Sequence, residues 1–387
     1  MKASPFFAAS GLAVAALLAF ACGRAPADVA RPAARTGFDL TVVAHIDGAR
    51  ELTLSPQGEL LVGTLGNDVY AVADAEGAAK APRVFTSIDD APAAGVALAG
   101  SALYIGTQHG VWRVPYRAGD RSATRAPTRL AAVRSASSGG AHRTTTVARA
   151  GDNLYASVGS SCNACEETDP TRATILEMSL GGGGVRPRAI HIRNAIALAP
   201  DATTGDVWAG VAGQDELEHG HPYETFAAFT RHAGTADYGW PYCYENRKAT
   251  QPGHDCSHSA VADAVFPAYE TPVGAVIYPL HAAGPYAFPA AYRGGAFVAL
   301  HGSWHKPLVQ PRVVFVPLHD GAPAKPVDWN DPSTQWSTFV DRFQEPDGAR
   351  IGRPTGVAVG PQGSLFVADD EAGVVYRIRP TAGRAGR

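Results

Sequence analysis

Residues 139–167 read GGAHRTTTVARAGDNLYASVGSSCNACEE and contain the pattern from which the type of fold can be recognised. Two runs of strand-forming residues, TTTVAR and LYASVG, are separated by the short turn AGDN, which is typical of two neighbouring antiparallel strands. His142 lies just before the first strand, and a Cys-x-x-Cys loop from Cys162 to Cys165 follows the second. Polar groups therefore gather at the strand ends, where loops on a rigid β scaffold tend to carry function.

The same strand–turn–strand unit recurs along the chain. Its six copies lie at 51–72, 95–115, 144–180, 196–211, 274–318 and 356–378. Each copy shows the alternation of half-buried strands, interrupted by turns that contain Gly, Asp or Asn. The copies start about 45 to 50 residues apart except for one longer gap, and such a period with three or four strands is typical of a propeller blade. The sequence therefore predicts an all-β fold, a six-bladed β-propeller.

Two further segments complete the predicted propeller, which we assign to residues 37–380 with a C-terminal tail at 381–387. The strand-like run FDLTVVAH at 38–45 is expected to pair with the last blade and close the ring, because closure removes the free sheet edges. The long gap, 212–272, is rich in acidic, aromatic and cysteine residues and is expected to form a large excursion on one face. No second domain is indicated.

The N-terminus has the layout of an export signal. Lys2 is followed by the apolar run 6–21 and then by Cys22, and this run is shorter than the roughly 20 apolar residues of a membrane span. Residues 1–22 are therefore predicted to be a signal peptide, with 23–36 as a flexible linker. The LLAFAC sequence also resembles a lipoprotein box, which leaves two alternatives open. The protein is either lipid-anchored through Cys22 in the periplasm, its only expected membrane contact, or secreted.

Composition excludes some partners. The chain of 387 residues carries a net charge of −3, which gives no electrostatic reason to expect nucleic-acid binding. Its 42 glycines and 29 prolines indicate many turns and suit a β-rich chain better than a helical one.

The cysteines after the signal form an even set. In an oxidising compartment Cys162, Cys165, Cys243 and Cys256 are expected to form disulfides, and their spacing favours the local pairs among the three possible pairings. Zinc binding is the alternative, but the spacing is not that of a zinc ribbon. For Cys162 and Cys165 a structural role is expected in preference to a redox role.

Five separated runs resemble the glucose/sorbosone dehydrogenase family. They are SVGSSCNACEE, IRNAIALAP, DYGWPYCYE, FVALHGSW and GRPTGVAVGPQGSLFVADD. The resemblance covers nearly all of residues 37–379 and implies a six-bladed propeller that uses pyrroloquinoline quinone and calcium (Ca²⁺). It further implies an exported oxidoreductase that oxidises an aldose or a sorbosone-like aldehyde and passes electrons to an external acceptor, either a cytochrome or a quinone.

The resemblance implies a role for several residues of this chain. His142 matches the catalytic base, since an imidazole of near-neutral pKa can accept the hydroxyl proton of a sugar. Arg193 and Asn194 match the pair that binds the quinone, and Arg193 would also stabilise developing negative charge. Lys306 and Arg353 match the cations that bind the carboxylates of the cofactor.

The calcium ligands implied by the resemblance are two backbone carbonyls, those of Gly213 and Gln214. Calcium prefers oxygen ligands of this kind. An acidic run, Asp215, Glu216 and Glu218, follows at once and is expected to lie near the ion.

This sequence also departs from the family pattern. Ala141 stands where the glucose enzymes have an acidic residue, Ser160 or Ser161 stands near their glutamine, and Tyr278 is the one plausible member of their aromatic substrate wall. These departures bear on the identity of the sugar more than on the cofactor. Asp369 and Asp370 are expected only to shape a turn.

Two other classes of function remain compatible with a propeller, because fold alone does not determine function. One is a calcium-dependent lactonase-type hydrolase, which needs polar side chains along the axis; the apolar inner strands argue against it. The other is a non-catalytic binding module.

Overall fold

The structure, a computed structural model, describes residues 31–134, 141–304 and 309–381. Within these ranges the chain is almost entirely β, and its sheets form six antiparallel blades. The signal peptide, Cys22 and Lys306 lie outside the described residues, as does most of the predicted tail. The helices of the described residues are single short 3-10 turns, Phe229–Arg231 and Ala290–Tyr292, and none has the length and apolar character needed to cross a membrane.

The strands follow the chain around the ring. It enters through β1 (Ala33–Ala34) and β2 (Phe38–His45). Blade one is β3 (Ala49–Leu54), β4 (Leu60–Thr64), β5 (Asp68–Val72) and β6 (Arg83–Ser87). Blade two is β7 (Gly95–Ala99), β8 (Ala102–Gly106), β9 (Gly110–Pro115) and β10 (Thr128–Ala132). Blade three is β11 (Thr145–Ala150), β12 (Asn153–Val158), β13 (Thr174–Ser179) and β14 (Arg186–Ile190).

The second half of the ring is less regular. Blade four begins with β15 (Ala195–Pro200), β16 (Val207–Val211) and β17 (Glu224–Ala227). The chain then forms three short strands outside this blade, β18 (Ala236–Asp237), β19 (Cys243–Tyr244) and β20 (Lys248–Ala249). It returns as β21 (Ala264–Phe266), the outermost strand of blade four. Blade five is formed by β22 (Pro272–Ile277), β23 (Ala296–Leu300) and β24 (Arg312–Val316), and its outer strand is β27 (Ser337–Asp341). Between β24 and β27 the chain forms a separate short pair, β25 (Leu318–His319) and β26 (Ala322–Pro323). Blade six is β28 (Pro354–Val359), β29 (Leu365–Asp369) and β30 (Val374–Pro380), completed by β2.

Ring closure occurs as the sequence predicts. β2 pairs antiparallel with β30, with Leu40 opposite Ile378 and Val42 opposite Tyr376. The first and last segments of the propeller thereby form one sheet, in which β2 is the outermost strand, and this pairing closes the ring. The innermost strands of successive blades also pack side by side, with β28 against β3.

Two predicted boundaries differ from the observed ones. Part of the predicted linker, Ala33–Ala34, pairs with Asp341 and Val340 of β27, so the ordered domain begins before residue 37. The gap at 212–272 also supplies β17 and β21, the two outer strands of blade four. The excursion is therefore only the segment between these two strands. The predicted excursion is too long, because β17 and β21 are too short to show a clear alternation of apolar and polar residues.

Hydrophobic contacts between neighbouring blades form the core. Trp208 and Phe226, both fully buried, stack at 4.9 Å between ring centroids in blade four, and Phe288, Phe297 and Phe339 cluster with their rings within 5.7 Å in blade five. The first pair belongs to the same cluster as Val298 of blade five, and the second group to the same cluster as Val367 of blade six. Because apolar burial contributes about 25 cal/mol per Å², these clusters hold one blade on the next.

A buried hydrogen bond also joins blade six to blade one, and it provides a test of the packing. The Oγ1 hydroxyl of Thr355, a fully buried residue, donates to the Ala49 carbonyl at 2.9 Å. Thr355→Val keeps the side-chain shape but removes the donor, so we expect the free energy of unfolding to fall by about 1 kcal/mol, as measured by denaturant unfolding. Thr355→Ser retains the hydroxyl and should recover part of this loss; a serine variant no more stable than the valine variant would contradict the role of the bond.

All six innermost strands run in the same direction, so their N-terminal ends lie on one face of the ring. We call this face the mouth; His142, Arg193 and Arg353 each precede an innermost strand there, in blades three, four and six. The second strand of each blade ends on the same face.

Candidate functional site

His142 is held at the mouth in a defined orientation. It has a left-handed backbone conformation, with a φ of 56°, and its Nδ1 lies 3.0 Å from the Ser160 carbonyl oxygen and 3.1 Å from Ser160 Oγ. A carbonyl only accepts hydrogen bonds, so Nδ1 carries the proton and Nε2 carries a lone pair, which no hydrogen bond from the described residues engages. The ring is thus arranged to accept a proton at Nε2.

The electrostatic surroundings keep this imidazole neutral. Burial of the half-buried ring, followed by the positive charge of Arg193, lowers the pKa of His142 from its usual 6.5 to about 4. Both effects oppose a second positive charge on the ring. At neutral pH the group is a base ready to accept a proton.

Gly159 brings His142 and Asn194 together. A Cβ at position 159 would lie 2.5 Å from the His142 Cβ and 2.4 Å from Asn194 Oδ1, closer than any side chain allows. The absence of a side chain therefore lets blade three and blade four approach each other at the mouth. Asn194 is buried, and its carbonyl accepts a hydrogen bond from Ala212 N at 2.9 Å.

Arg193 is a buried cation whose hydrogen bonds within the described residues all lie on one side of the mouth. Its Nη2 donates to Asp215 Oδ2 at 3.1 Å and to Asn163 Oδ1 at 3.0 Å, and its Nε donates to the Asn163 carbonyl at 3.1 Å. Nη1 lies 3.4 Å from the Ala212 carbonyl. Burial lowers the pKa of Arg193, and the Asp215 charge opposes this effect; the guanidinium remains a fixed positive charge.

The segment that follows β16 presents the two predicted calcium carbonyls. Gly213 N donates to Glu224 Oε2 at 2.7 Å, which holds the Ala212–Gly213 peptide group just before the first of these carbonyls. Within the described ranges no hydrogen bond ends on the carbonyl oxygen of Gly213 or Gln214. Both oxygens therefore remain available to a cation.

Glu224 is a member of the site that the sequence analysis missed. It is 3% exposed, on β17, and burial raises the pKa of its carboxyl to about 8, although the Gly213 amide and the Arg193 charge act in the opposite direction. An acid in the otherwise apolar run ETFAAF was the available signal. Of the acidic run, Asp215 joins this group, whereas Glu218 instead accepts a hydrogen bond from Tyr244 at 3.0 Å.

The blade-five and blade-six side of the mouth contains a second polar network. Asp370 accepts hydrogen bonds from Arg50 Nη1 and from His301 Nε2, each at 2.9 Å. Burial alone would raise the pKa of Asp370, but His301 and Arg50 hold it well below its usual range. The expectation that Asp370 only shapes a turn is therefore wrong. Asp369 does bond to turn amides, those of Arg353 and Ala372, both at 2.8 Å.

Arg353 belongs to this second network. Its Nε and Nη2 donate to the carbonyls of His301 and Gly302 at 3.1 and 2.7 Å. Arg353 thus shares the mouth with His142 and Arg193, but its side-chain hydrogen bonds within the described residues are on the opposite side. Of the predicted site residues, the structure brings together His142, Arg193, Asn194, Gly213 and Gln214; Lys306 lies outside the described residues.

The departures from the family pattern have structural consequences. Ser160, which stands near the position of the family's glutamine, contacts His142 directly. Ala141 is exposed and offers no carboxylate to the ring. Tyr278 is fully buried, donates to the Gly363 carbonyl at 2.7 Å and stacks on Phe288, so it is a core residue and the idea that it forms part of a substrate wall is wrong.

The two local disulfides form as the spacing favoured. Cys162 is bonded to Cys165, and Cys243 to Cys256. The first closes the loop at the edge of the mouth, and the second closes a loop within the excursion.

Comparison with solved structures reveals the same architecture in several sugar-oxidising enzymes. The holo form of the pyranose dehydrogenase PQQ domain from Coprinopsis cinerea superposes with a TM-score of 0.76, at 19% identity over 92% of this chain and 99% of that one. The chain shares the propeller fold of this enzyme. The calcium structure of a Trichoderma reesei enzyme of carbohydrate-active family AA12 gives a TM-score of 0.74, at 18% identity over 90% of this chain and 97% of that one.

Further similarity is consistent with this fold. The PQQ-bound aldose sugar dehydrogenase from Streptomyces coelicolor gives a TM-score of 0.61, at 18% identity over 90% of this chain and 99% of that one. A family model described as TrAA12-like matches residues 245–381. An uncharacterised protein of Borreliella burgdorferi is 22% identical over 231 residues, 59% of this chain, and the match spans 57% of that protein's length.

Proposed function

We propose that the protein is an exported oxidoreductase that oxidises an aldose or a related aldehyde with pyrroloquinoline quinone and calcium, and passes the electrons to an external cytochrome or quinone. One observation carries the proposal: the neutral His142, with Nε2 free, lies beside a buried arginine, a buried asparagine and two unengaged carbonyls. A base, an anion-binding cation and hard oxygen ligands are the groups that this chemistry requires.

The residues of the mouth fit the quinone. Its three carboxylates need fixed cations, and Arg353 makes no ion pair within the part of the chain that the structure describes. The side-chain hydrogen bonds of Arg353 go to the His301 and Gly302 carbonyls, so no carboxylate of the described residues is bonded to its guanidinium, although the charges of Asp370 and Glu371 act on it. Arg193 and Asn194 would bind the cofactor from blade four, and Lys306 is proposed as a further ligand.

The residues also fit calcium. The Gly213 and Gln214 carbonyls are unengaged, and carboxylates of Asp215 and Glu224 lie close to this segment. Oxygen donors of this type suit Ca²⁺ better than softer metals. The cation would also favour ionisation of Glu224.

The chain's own groups account for the proton transfer. When bound, the quinone would supply the acceptor for the hydride, which carries the two electrons of the oxidation. His142 accepts the substrate hydroxyl proton at Nε2, while its Nδ1–H remains bonded to the Ser160 carbonyl, which stabilises the imidazolium that forms. Arg193, 7% exposed, contributes a fixed positive charge beside the base without moving.

Reconstitution tests the proposal directly. Purified protein stripped with a chelator is titrated with the quinone, with and without Ca²⁺, and binding is followed by tryptophan fluorescence before dye reduction is assayed across a panel of aldoses and aldehydes. We expect binding at micromolar or lower quinone concentration, sugar-dependent dye reduction, and loss of both on removal of Ca²⁺. Absence of quinone binding in the presence of Ca²⁺ would overturn the proposal and favour a binding module.

Lactone hydrolysis under the same conditions would indicate the hydrolase class instead. The channel of about 240 Å³ between the innermost strands is lined by Glu51 and Arg149 beside apolar residues such as Leu52, Val147 and Val357. Glu51 is its one carboxylate among the described residues, whereas a calcium-dependent hydrolase needs several oxygen ligands from side chains.

A further inference from the structure

Asn163, within the Cys162–Cys165 loop, contacts both halves of the candidate site. We propose that Asn163 is a positioning residue, and that the disulfide-closed loop around it holds Arg193 and the calcium-binding segment in register across blades three and four. The effect of Asn163 on catalysis rests on the proposed function. The positioning of Arg193 and Asp215 by Asn163 does not depend on that function.

The side-chain amide of Asn163 pairs with the backbone of Asp215 as a neighbouring strand would, by accepting one hydrogen bond and donating another. Its Oδ1 accepts a hydrogen bond from Asp215 N at 2.7 Å, and its Nδ2 donates to the Asp215 carbonyl at 3.0 Å. Both backbone groups of Asp215 are thereby paired by one side chain. The position of the residue that follows Gly213 and Gln214 is therefore set by a loop of the neighbouring blade.

The same residue binds Arg193 twice. Oδ1 accepts from Arg193 Nη2 at 3.0 Å, and the Asn163 carbonyl accepts from Arg193 Nε at 3.1 Å. That carbonyl also accepts from Trp240 Nε1 at 3.2 Å, which ties the excursion to the same point. Two of the four polar contacts that orient the guanidinium thus come from Asn163; the others are Asp215 and the Ala212 carbonyl.

The disulfide explains how an exposed loop residue can carry this role. Asn163 is exposed at the mouth, and an open loop would lose much conformational freedom on making five hydrogen bonds. The bond between Cys162 and Cys165, three residues apart, restricts that freedom in advance. Ser160 Oγ donates to the Cys162 carbonyl at 2.7 Å and Ser161 Oγ to Glu167 at 3.0 Å, which anchor the loop on its own blade.

Consequently, one short segment positions both reactive groups. Ser160 orients the His142 ring, and Asn163 orients Arg193. A shift of the loop would move the base and the cation relative to each other, and misplacement by about 1 Å is enough to cost roughly 100-fold in rate.

The test compares three variants of the full-length protein: Asn163→Ala, Cys162→Ser/Cys165→Ser, and the matched control Ala164→Ser, an exposed residue of the same loop. The first readout needs no cofactor. Phenylglyoxal labels accessible guanidinium groups, and peptide mass mapping gives the labelling rate of Arg193 beside that of Arg50, a buried arginine of the opposite network. The second readout is the quinone dissociation constant from fluorescence titration.

We expect Asn163→Ala to accelerate labelling of Arg193 but not of Arg50, and to weaken quinone binding by about 10-fold, the value of one hydrogen bond to a charged group. The double serine variant should show the same changes to a smaller extent, and Ala164→Ser none. A loss of overall stability would instead expose both arginines together. Unchanged labelling of Arg193 in Asn163→Ala would overturn the inference. Faster labelling in a protein that binds no quinone would uphold the positioning role and overturn the proposed function.

Discussion

Replacing His142 with asparagine should lower kcat of the reconstituted enzyme by about 1,000-fold, within the range that a general base contributes. Asparagine can still donate to the Ser160 carbonyl, as His142 Nδ1 does at 3.0 Å, but it offers no group that takes a proton at neutral pH. The effect should fall on kcat, with the quinone dissociation constant changed by less than about threefold. Steady-state dye reduction and fluorescence titration measure the two quantities separately.

The control for this variant is His45→Asn. His45 is exposed at the end of β2, on the strand that closes the ring, and within the described part of the chain no side-chain hydrogen bond or ion pair joins it to His142, Arg193 or Arg353. Its replacement should leave kcat unchanged. If His142→Asn kept more than about a tenth of the wild-type rate, the group would not be the base, because that loss is smaller than general-base catalysis supplies.

The titration of His142 gives an independent check on its environment. Because burial and the Arg193 charge lower its pKa to about 4, the imidazole should remain neutral throughout the range in which an ordinary histidine becomes protonated. In the unfolded chain the same imidazole binds a proton near its usual pKa of 6.5. The contribution of His142 to the free energy of unfolding therefore decreases as the pH falls from 6.5 towards 4. Histidine-selective ¹³C NMR of the apoprotein, with His142→Asn to assign the signal, measures the value; titration near 6.5 would contradict the structure.

Removing the guanidinium in Arg193→Met should weaken quinone binding by about 100-fold, since at least one charge-assisted hydrogen bond and a fixed positive charge are lost. The substitution also leaves the partly buried Asp215 carboxylate, 3.1 Å from Nη2, without its partner. We therefore expect weaker calcium binding or altered calcium dependence together with the loss of quinone affinity. Arg193→Lys should show an intermediate effect, because one ammonium cannot reach Asn163, Asp215 and Ala212 at once.

Arg342→Met serves as the matched control for this second prediction. Arg342 is an exposed arginine whose nearest acid, Asp341, is 3.9 Å away, and surface pairs of this kind contribute little. Its loss should not change either affinity. Equal quinone affinity in Arg193→Met and the wild type would remove Arg193 from the binding site and leave the Arg353 side of the mouth as the anion site.

Much of the fold follows from local pattern. Period-two alternation, turn residues and a regular spacing of copies identify six blades, because each blade repeats the same short-range signals. The boundaries failed where a strand is too short to show a pattern. Ala33–Ala34 pairs with β27 although nothing in its own sequence indicates a strand, and β21 contributes only three residues to blade four.

Part of the candidate site can likewise be predicted from the sequence, and part cannot. His142, Arg193, Asn194 and the Gly213–Gln214 pair were identified through motifs that resemble a known family, and the structure places them side by side. Asn163, Glu224 and Asp370 were not identified as site residues, since each acts through a partner distant along the chain: Arg193 and Asp215 for Asn163, Gly213 for Glu224, Arg50 and His301 for Asp370. Tyr278 was misassigned because burial cannot be read from one aromatic residue in a strand.

The blade repeat, the ring-closing segment and the local disulfide pairs can all be predicted from the sequence, because each is recognised from a local pattern of residues. The set of groups that meet at the mouth, the hydrogen bond that orients His142 and the loop that holds Arg193 are apparent only in the folded protein. They depend on contacts between blades, where residues 30 or more positions apart lie within hydrogen-bond distance. Residues 139–167 thus contain two strands of blade three and the candidate base, and the function of that base depends on the groups that blade four places beside it.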